Sequence, residues 1–338
     1  MKIFKQQQLK SKNTFGIPAL ANTYVMLEDK EDLNQAIALA KQEGKELRVL
    51  GGGSNVLFTQ NTDDIIVHPA FKSYQLISEN KDAVEVEVEA GMNWHEWVLC
   101  CLENGWYGLE NLSLIPGLVG AAPIQNIGAY GIEVKDRITQ VCYRELTTGK
   151  EHWVKNSDCN FGYRDSIFKG PLKGQILICS VRFLLTKSPA LNTSYGAIEA
   201  ELKLMGVESP GPKDVSKAVI NIRQSKLPDP KVLGNGGSFF KNPVIEKAVV
   251  NELLISYPNM PQYPVADDKV KLAAGWLIEQ AGWKGKSDGT CGVHDRQALV
   301  LVNYGEASGS EIKALAYKVI DSVKEKFGIA LEPEVNIW

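Results

Sequence analysis

Ile115-Pro116-Gly117-Leu118-Val119-Gly120-Ala121-Ala122-Pro123-Ile124-Gln125-Asn126-Ile127-Gly128-Ala129-Tyr130-Gly131 is the stretch on which the reading of the fold turns. Four glycines and two prolines in seventeen residues leave little helical or strand periodicity, so a folded loop system is expected. Residues this small let a flat conjugated ring or a pyrophosphate lie against the main chain, where N–H and C=O groups meet ring heteroatoms. An irregular loop without a ligand is the competing reading. Upstream, residues 47–50 form a short strand running into Gly51-Gly52-Gly53-Ser54-Asn55, with Ile65, Ile66 and Val67 as its neighbour. This second glycine system suits an anion, and equally a tight turn. Val56 stands where G-x-G-x-x-G needs glycine, and no G-x-x-x-x-G-K-[ST] occurs, which excludes a Rossmann fingerprint and a P-loop. Two such loops without a P-loop lysine favour a dinucleotide over a nucleoside triphosphate.

Around the loops, Val84, Val86 and Val88 alternate with Glu85, Glu87 and Glu89, the period of a strand with one wet face. Asn93 then caps a helix whose Trp94, Trp97, Val98, Cys101 and Leu102 form one apolar stripe, ended by Gly105. Strands are expected at 138–146 and 176–185. A helix through Val215, Val219 and Ile222 must stop by Pro228, a candidate domain boundary. Helical patterns follow at 244–256, 269–281 and 310–327, the last closing at Gly328, and a strand at 330–337 ends the chain. This mixed succession is α+β.

The 338 residues correspond to two domains, or three if each is small. With 44% hydrophobic and 23% charged residues, disorder, collagen and coiled coil are excluded. Lys plus Arg number 37 against 40 Asp plus Glu, so no basic surplus points to nucleic acid. No apolar run reaches membrane-spanning length and MKIFKQQQLKSKN has no signal core, so a cytoplasmic location is expected. The six cysteines have neither zinc spacing nor scaffold density and are read as reduced and mostly buried; the four histidines lie far apart, and no metal is expected.

Three further clusters carry chemistry. In residues 160–166, NFGYRDS, Arg164 beside Tyr163 could clamp a carboxylate with two parallel hydrogen bonds, or simply pair with Asp165. Residues 226–231, KLPDPK, and 234–243, GNGGSFFKNP, present Ser238 on a glycine turn between aromatics; Phe240 excludes G-x-S-x-G, leaving a positioned proton donor. In residues 331–335, LEPEV, Glu332 and Glu334 share a face unless Pro333 turns the chain, and two solvated glutamates is the plainer reading.

In this order, GGGSN, IPGLVGAAPIQNIGAYG, GYRDS, KLPDPK, GGSFFKNP and LEPEV resemble the UDP-N-acetylenolpyruvoylglucosamine reductase family from about Asn13 to the C-terminus. The resemblance implies an α+β fold of the PCMH/vanillyl-alcohol-oxidase FAD-binding type. It divides the chain into FAD-binding subdomain 1 (1–70, joined by 329–338), FAD-binding subdomain 2 (71–226, with a substrate loop near 190–200) and a substrate-binding domain (227–328). It implies non-covalent FAD contacted by Leu50, Gly51, Gly52, Gly53, Ser54, Asn55, Pro116, Gly117, Gly120, Ala121, Pro123, Asn126, Gly128, Ala129 and Arg164. The catalytic arginine would be Arg164, the proton donor Ser238 and the catalytic carboxyl group Glu334. Substrate binding would fall to these three and to Tyr130, Tyr163, Tyr195, Lys226, Asn242, Tyr263 and Gln297, with TSYG at 193–196 resembling the tyrosine loop of the longer subclass. The implied activity is NADPH-dependent reduction of UDP-N-acetylglucosamine enolpyruvate to UDP-N-acetylmuramate for peptidoglycan, with no obligate protein partner. The family motif commonly ends Glu-Val-Arg, whereas Asn336 follows Val335 here, a shorter and uncharged side chain. An FAD oxidase of the same fold is the alternative enzyme. Such oxidases often tether FAD through a histidine in the first glycine loop, which GGGSN lacks. A non-catalytic nucleotide sensor is the third reading, disfavoured by Arg164, Ser238 and Glu334 standing together in one chain.

Overall fold

The alternation of valine and glutamate at 84–89 folds as expected: strand Ala83–Glu89 buries its valines and leaves its glutamates half-exposed. The computed structural model describes residues 1–338, which divide into two compact units.

The first unit comprises Met1–Gln7, Ala21–Gly52 and Thr62–Ser225. Its centre is a five-stranded antiparallel sheet in the order Glu151–Lys155, Ile138–Glu145, Ile176–Thr186, Ala83–Glu89, Tyr74–Glu79. Val86 lies opposite Phe183, and both face the helix Trp94–Glu103 in one buried cluster with Trp94, Trp97, Val98, Cys101 and Leu102. Each large apolar side chain so removed from water contributes about 1.5–3 kcal/mol. Asn93 caps this helix, its Oδ1 accepting from the Glu96 N–H at 3.1 Å. Cys142, Leu177 and Cys179 pack into a second cluster with Leu33, Ala36, Ile37 and Ala40 of helix Asp32–Glu43. That cluster also takes Val25, Ile65 and Val67 from a four-stranded sheet in the order Lys2–Gln8, Leu20–Leu27, Thr62–Pro69, Leu47–Val49, in which Thr62–Pro69 pairs in parallel with both neighbours. Helices Gly196–Leu204 and Pro212–Lys226 close a third cluster with Tyr130 packed against it. The latter helix ends two residues before Pro228, where a proline ring restricts the preceding residue.

The second unit comprises Gln8–Leu20, Gly53–Asn61 and Lys226–Trp338. Strands Gly234–Ser238, Val300–Asn303 and Cys291–Val293 form one antiparallel sheet covered by helix Gly309–Phe327. Ser308 and Glu311 cap that helix reciprocally, and Gly328 ends it with φ 69°. Two expected helices are shorter than their patterns. Residues 244–246 and 269–272 are strands paired with each other, and helix occupies only Lys247–Ser256 and Ala274–Gln280. In Lys269–Leu272 the alternation buries Val270 and Leu272 while Lys269 and Lys271 face out, so strand pairing prevails over the longer period. The C-terminal strand is likewise confined to Asn336–Ile337, parallel to Val56–Leu57. Pro333 has no N–H for a ladder, and residues 331–335 instead run beside 239–241, with Lys241 N–H to Glu332 C=O at 2.9 Å and Glu334 N–H to Phe239 C=O at 2.7 Å. Five cysteines are buried, Cys100 is half-buried, and all six are free thiols. No helix is long and apolar enough to cross a membrane.

Candidate active site

In the first unit the two glycine systems meet. A Cβ on Gly52 would stand 3.1 Å from Gly117 Cα, so the loops touch backbone to backbone and a side chain there would separate them. The second loop is pinned to the chain between strand and helix: Gly120 N–H donates to Ala90 C=O at 3.0 Å, Val119 N–H to Met92 C=O at 2.9 Å, and Trp94 N–H to Gly117 C=O at 3.1 Å. Asn126 is buried and fully engaged, donating to Glu133 and to Gly162 C=O and accepting from Lys135 N–H. The region is thus held by groups within it.

Arg164 donates from Nη2 to Gly128 C=O at 2.7 Å, with its guanidinium 5.6 Å from the Tyr163 ring centre. Tyr130 meets the Tyr195 ring edge-on at 5.4 Å, which joins the tyrosine of the 193–196 loop to the second glycine loop. Asn111 ties the same parts together, donating to Tyr130 C=O and Asn192 C=O. Leu114, Asn126, Tyr130 and Arg164 all have positive φ, between 44° and 59°. Left-handed backbone costs a non-glycine residue about 1–2 kcal/mol, and such strain gathers where a site over-determines the chain.

Sequence reading missed Arg223. It lies on helix Pro212–Lys226 next to the buried Ile222, with its guanidinium near the Tyr130 phenol and its Nε buried without a partner. Burial pushes the Tyr130 phenol up. His95 accepts from Leu114 N–H at 3.0 Å through Nδ1, and burial, followed by the positive charge of Arg223, holds its imidazole below the ordinary range. The available signal for Arg223 was its position four residues after Val219, a cation at the border of the apolar stripe.

In the second unit Gly53 has φ 64°, and a Cβ there would stand 2.0 Å from Lys12 C=O. Asn55 donates from Nδ2 to Glu334 C=O at 3.2 Å, and Glu334 N–H donates to the residue after Ser238. The end of GGGSN, the exposed Ser238 and the half-buried Glu334 therefore lie on adjoining backbone. Phe239 and Phe240 are buried behind Ser238 and anchor it, whereas Glu332 points outward to an ion pair with Lys241 at 3.2 Å. Asn336 donates from Nδ2 to Asn55 C=O at 3.0 Å beside its own N–H at 3.1 Å, and so fixes the same loop. Asn242 Oδ1 accepts from Ala274 N–H at the start of helix Ala274–Gln280, Gln297 is half-buried beside Gly275, and Lys226 and Tyr263 are exposed.

These residues fit an FAD-type ligand on two grounds. Side-chain-free main chain at 51–52 and 117 offers the flat, close approach that a ring or pyrophosphate requires, and the buried Arg223 Nε is a donor in need of an anion.

Comparison with known proteins follows the same lines. Residues 21–155 match the FAD binding domain family, and residues 229–338 match the family described as UDP-N-acetylenolpyruvoylglucosamine reductase, C-terminal domain. The chain is 52% identical over 327 residues to a protein of that name from Chromobacterium violaceum, covering 96% of each. It is 49% identical to the Flavobacterium johnsoniae protein over the full length of both, and 46% identical to that of Pseudomonas aeruginosa over 98% of this chain and 97% of that one. The crystal structure of the Thermus caldophilus reductase shares the fold, with a TM-score of 0.67 at 22% identity over 100% of this chain and 98% of that one.

Proposed function

The chain belongs to the UDP-N-acetylenolpyruvoylglucosamine reductase family, an FAD-binding oxidoreductase family of peptidoglycan precursor synthesis, and we propose that it uses NADPH to reduce the enolpyruvyl ether of UDP-N-acetylglucosamine enolpyruvate to UDP-N-acetylmuramate in the cytoplasm. The observation that carries the reading is the adjoining placement of Ser238 and Glu334 in a chain that also holds Arg164 in a strained, bonded geometry. Leu50, the 51–55 loop and the 116–129 segment would hold the FAD, without a covalent link. When bound, FAD supplies the hydride path from NADPH to the methylene carbon of the enolpyruvyl group.

The protein's own groups do the rest. The Arg164 guanidinium takes the enolpyruvyl carboxylate in two parallel hydrogen bonds and stabilises the charge that grows there. The Glu334 carboxyl group donates to the same carboxylate as that charge develops. Ser238 Oγ delivers a proton to the carbon bearing the carboxylate. Tyr130, Tyr163, Tyr195, Lys226, Asn242, Tyr263 and Gln297 bind the sugar nucleotide. The FAD-binding role belongs to 1–70 with 329–338 and to 71–226, and the substrate-closing role to 227–328.

Anaerobic NADPH oxidation, followed by absorbance with and without the enolpyruvyl substrate, tests this. Oxidation beyond one flavin equivalent only with substrate is expected. Turnover that waits for oxygen would instead make the protein an oxidase, and a protein free of flavin would make it a nucleotide sensor.

A further inference from the structure

Between strand Ile176–Thr186 and helix Gly196–Leu204 the chain runs through residues 187–195, which pair in no sheet and belong to no helix. Such a segment carries its exposed Tyr195 only as firmly as its anchors allow. Leu191 packs against the cluster of helices Gly196–Leu204 and Pro212–Lys226, and the next residue is held by polar bonds. The Asn192 C=O accepts from Asn111 Nδ2 at 2.9 Å, its own Nδ2 donates to Gly131 C=O at 3.3 Å, and its Oδ1 accepts from the Ser194 hydroxyl at 2.8 Å. The same Asn111 Nδ2 donates to Tyr130 C=O at 3.0 Å, so one NH2 group directs its two hydrogens to carbonyls of two separate segments. Those segments bring together Tyr130 and Tyr195, whose rings meet edge-on at 5.4 Å, with the Tyr130 backbone held at φ 50°. Asn111 itself is 2% exposed and lies on the helical turn Glu110–Leu112. The following Ser113 ties that turn down, its hydroxyl bonding Glu110 C=O and the Ser216 hydroxyl of helix Pro212–Lys226 at 2.7 Å each. A segment that served only as a connection would leave its carbonyls to water, whereas here a rigid, buried amide is committed to holding one of them.

We propose that Asn111 is a positioning residue of the substrate site: its amide clasps the 187–195 segment to the second glycine loop, so that Tyr195 and Tyr130 stand ready as one aromatic wall for the sugar nucleotide. This rests on the reductase function proposed above. Asn111 touches neither cofactor nor substrate and acts through Tyr195, sparing the ligand the ordering of a loop. When the clasp is lost, the ordered segment becomes a smaller fraction of the population and affinity falls by that fraction.

The test is a double-mutant cycle read by equilibrium binding of the enolpyruvyl ether to the FAD-loaded protein without NADPH, for wild type, Asn111→Ala, Tyr195→Ala and the double variant. Asn111→Ala is expected to weaken binding by about 10-fold, since two hydrogen bonds of the clasp are lost. The double variant is expected to bind as Tyr195→Ala alone does, within about 2-fold, because without the ring there is nothing to position. A further loss of about 10-fold in the double variant would give Asn111 a structural role independent of Tyr195 and overturn the proposal. Undiminished binding by either single variant would overturn it as well. Cleavage after Tyr195 by chymotrypsin, in the holoenzyme without substrate, supplies a second readout: its rate is expected to rise about 10-fold in Asn111→Ala, and an unchanged rate would show that the amide does not hold the segment. If Asn111→Ala does not fold, Asn192→Ala takes its place in both measurements. That change removes only the side-chain bonds to Gly131 and Ser194, and about 5-fold is expected, again vanishing in the Tyr195→Ala background. If wild type neither binds nor reduces the ether, the reductase reading itself has failed, and the proposal falls with it.

Discussion

Gly120→Ala tests how the second glycine loop is seated. The added Cβ would stand 2.6 Å from Ala90 Cβ and 3.1 Å from Ala90 Cα, where carbon atoms ordinarily rest about 3.5–4.0 Å apart. Gly120 does not need positive φ, so the obstacle is Ala90 rather than backbone strain. The loop must withdraw by roughly 1 Å, stretching the Gly120-to-Ala90 and Val119-to-Met92 hydrogen bonds. Overpacking of this kind costs about 1–3 kcal/mol, offset by about 0.4–1 kcal/mol from a stiffer unfolded chain. A net loss of about 2 kcal/mol, or roughly 4–8 °C in Tm, is expected by thermal and urea unfolding, together with reduced FAD retention. Ala90 is fully buried, and Ala90→Gly alone costs about 1.5 kcal/mol from one lost methyl and a freer backbone. The double variant removes the 2.6 Å clash and should lose about 2 kcal/mol instead of the roughly 3.5 kcal/mol of two independent changes. Additivity within about 0.5 kcal/mol would refute the seating of the loop on Ala90.

Other outcomes follow from the same geometry. Ser238→Ala should leave NADPH-driven bleaching of the flavin near wild type in stopped flow and slow steady-state reduction of the enolpyruvyl ether by about 10²- to 10⁴-fold; undiminished turnover would remove Ser238 from the mechanism. Asn93→Ala deletes the cap that accepts from Glu96 N–H and should cost about 1 kcal/mol, read as a Tm lower by roughly 2–4 °C. Burial holds His95 and His294 below the ordinary imidazole range, so the unfolded chain takes up their protons first. Stability is then complete above about pH 6.5 and lost as pH falls through that value, and a Tm that holds or rises between pH 7 and 5.5 would contradict this.

Strong local periodicity was legible from residues alone. The Val/Glu alternation of 84–89 and the capped stripe from Asn93 to Leu102 both fold as read, because each pattern buries one face against the other. The glycine loops were legible as loops, but only the structure shows that Gly52 and Gly117 face each other. The short strands at 244–246 and 269–272 were hidden because three or four residues beside a helical run do not outweigh its period, and only their mutual pairing decides. Arg223 escaped because it lies in no glycine or proline motif, and the Tyr130 phenol near it is 93 residues earlier in the chain. That each unit gathers three separate segments depends on contacts far apart in the chain, which no local pattern records.

The pairing of Val56–Leu57 with Asn336–Ile337 has a consequence for biosynthesis. The two partners are 280 residues apart, so at roughly 5–20 residues per second the first strand leaves the ribosome some 14–56 s before the second exists. Throughout that interval Val56, Leu57 and Phe58, all buried in the finished protein, form an apolar tripeptide with an unpaired edge. Phe58 meets Trp338, and Thr59 N–H donates to the Trp338 C=O at 2.7 Å, so closure of this seam waits until residues 336–338 have been made. Nascent chains stalled before residue 336 would therefore expose an apolar segment that the folded protein conceals.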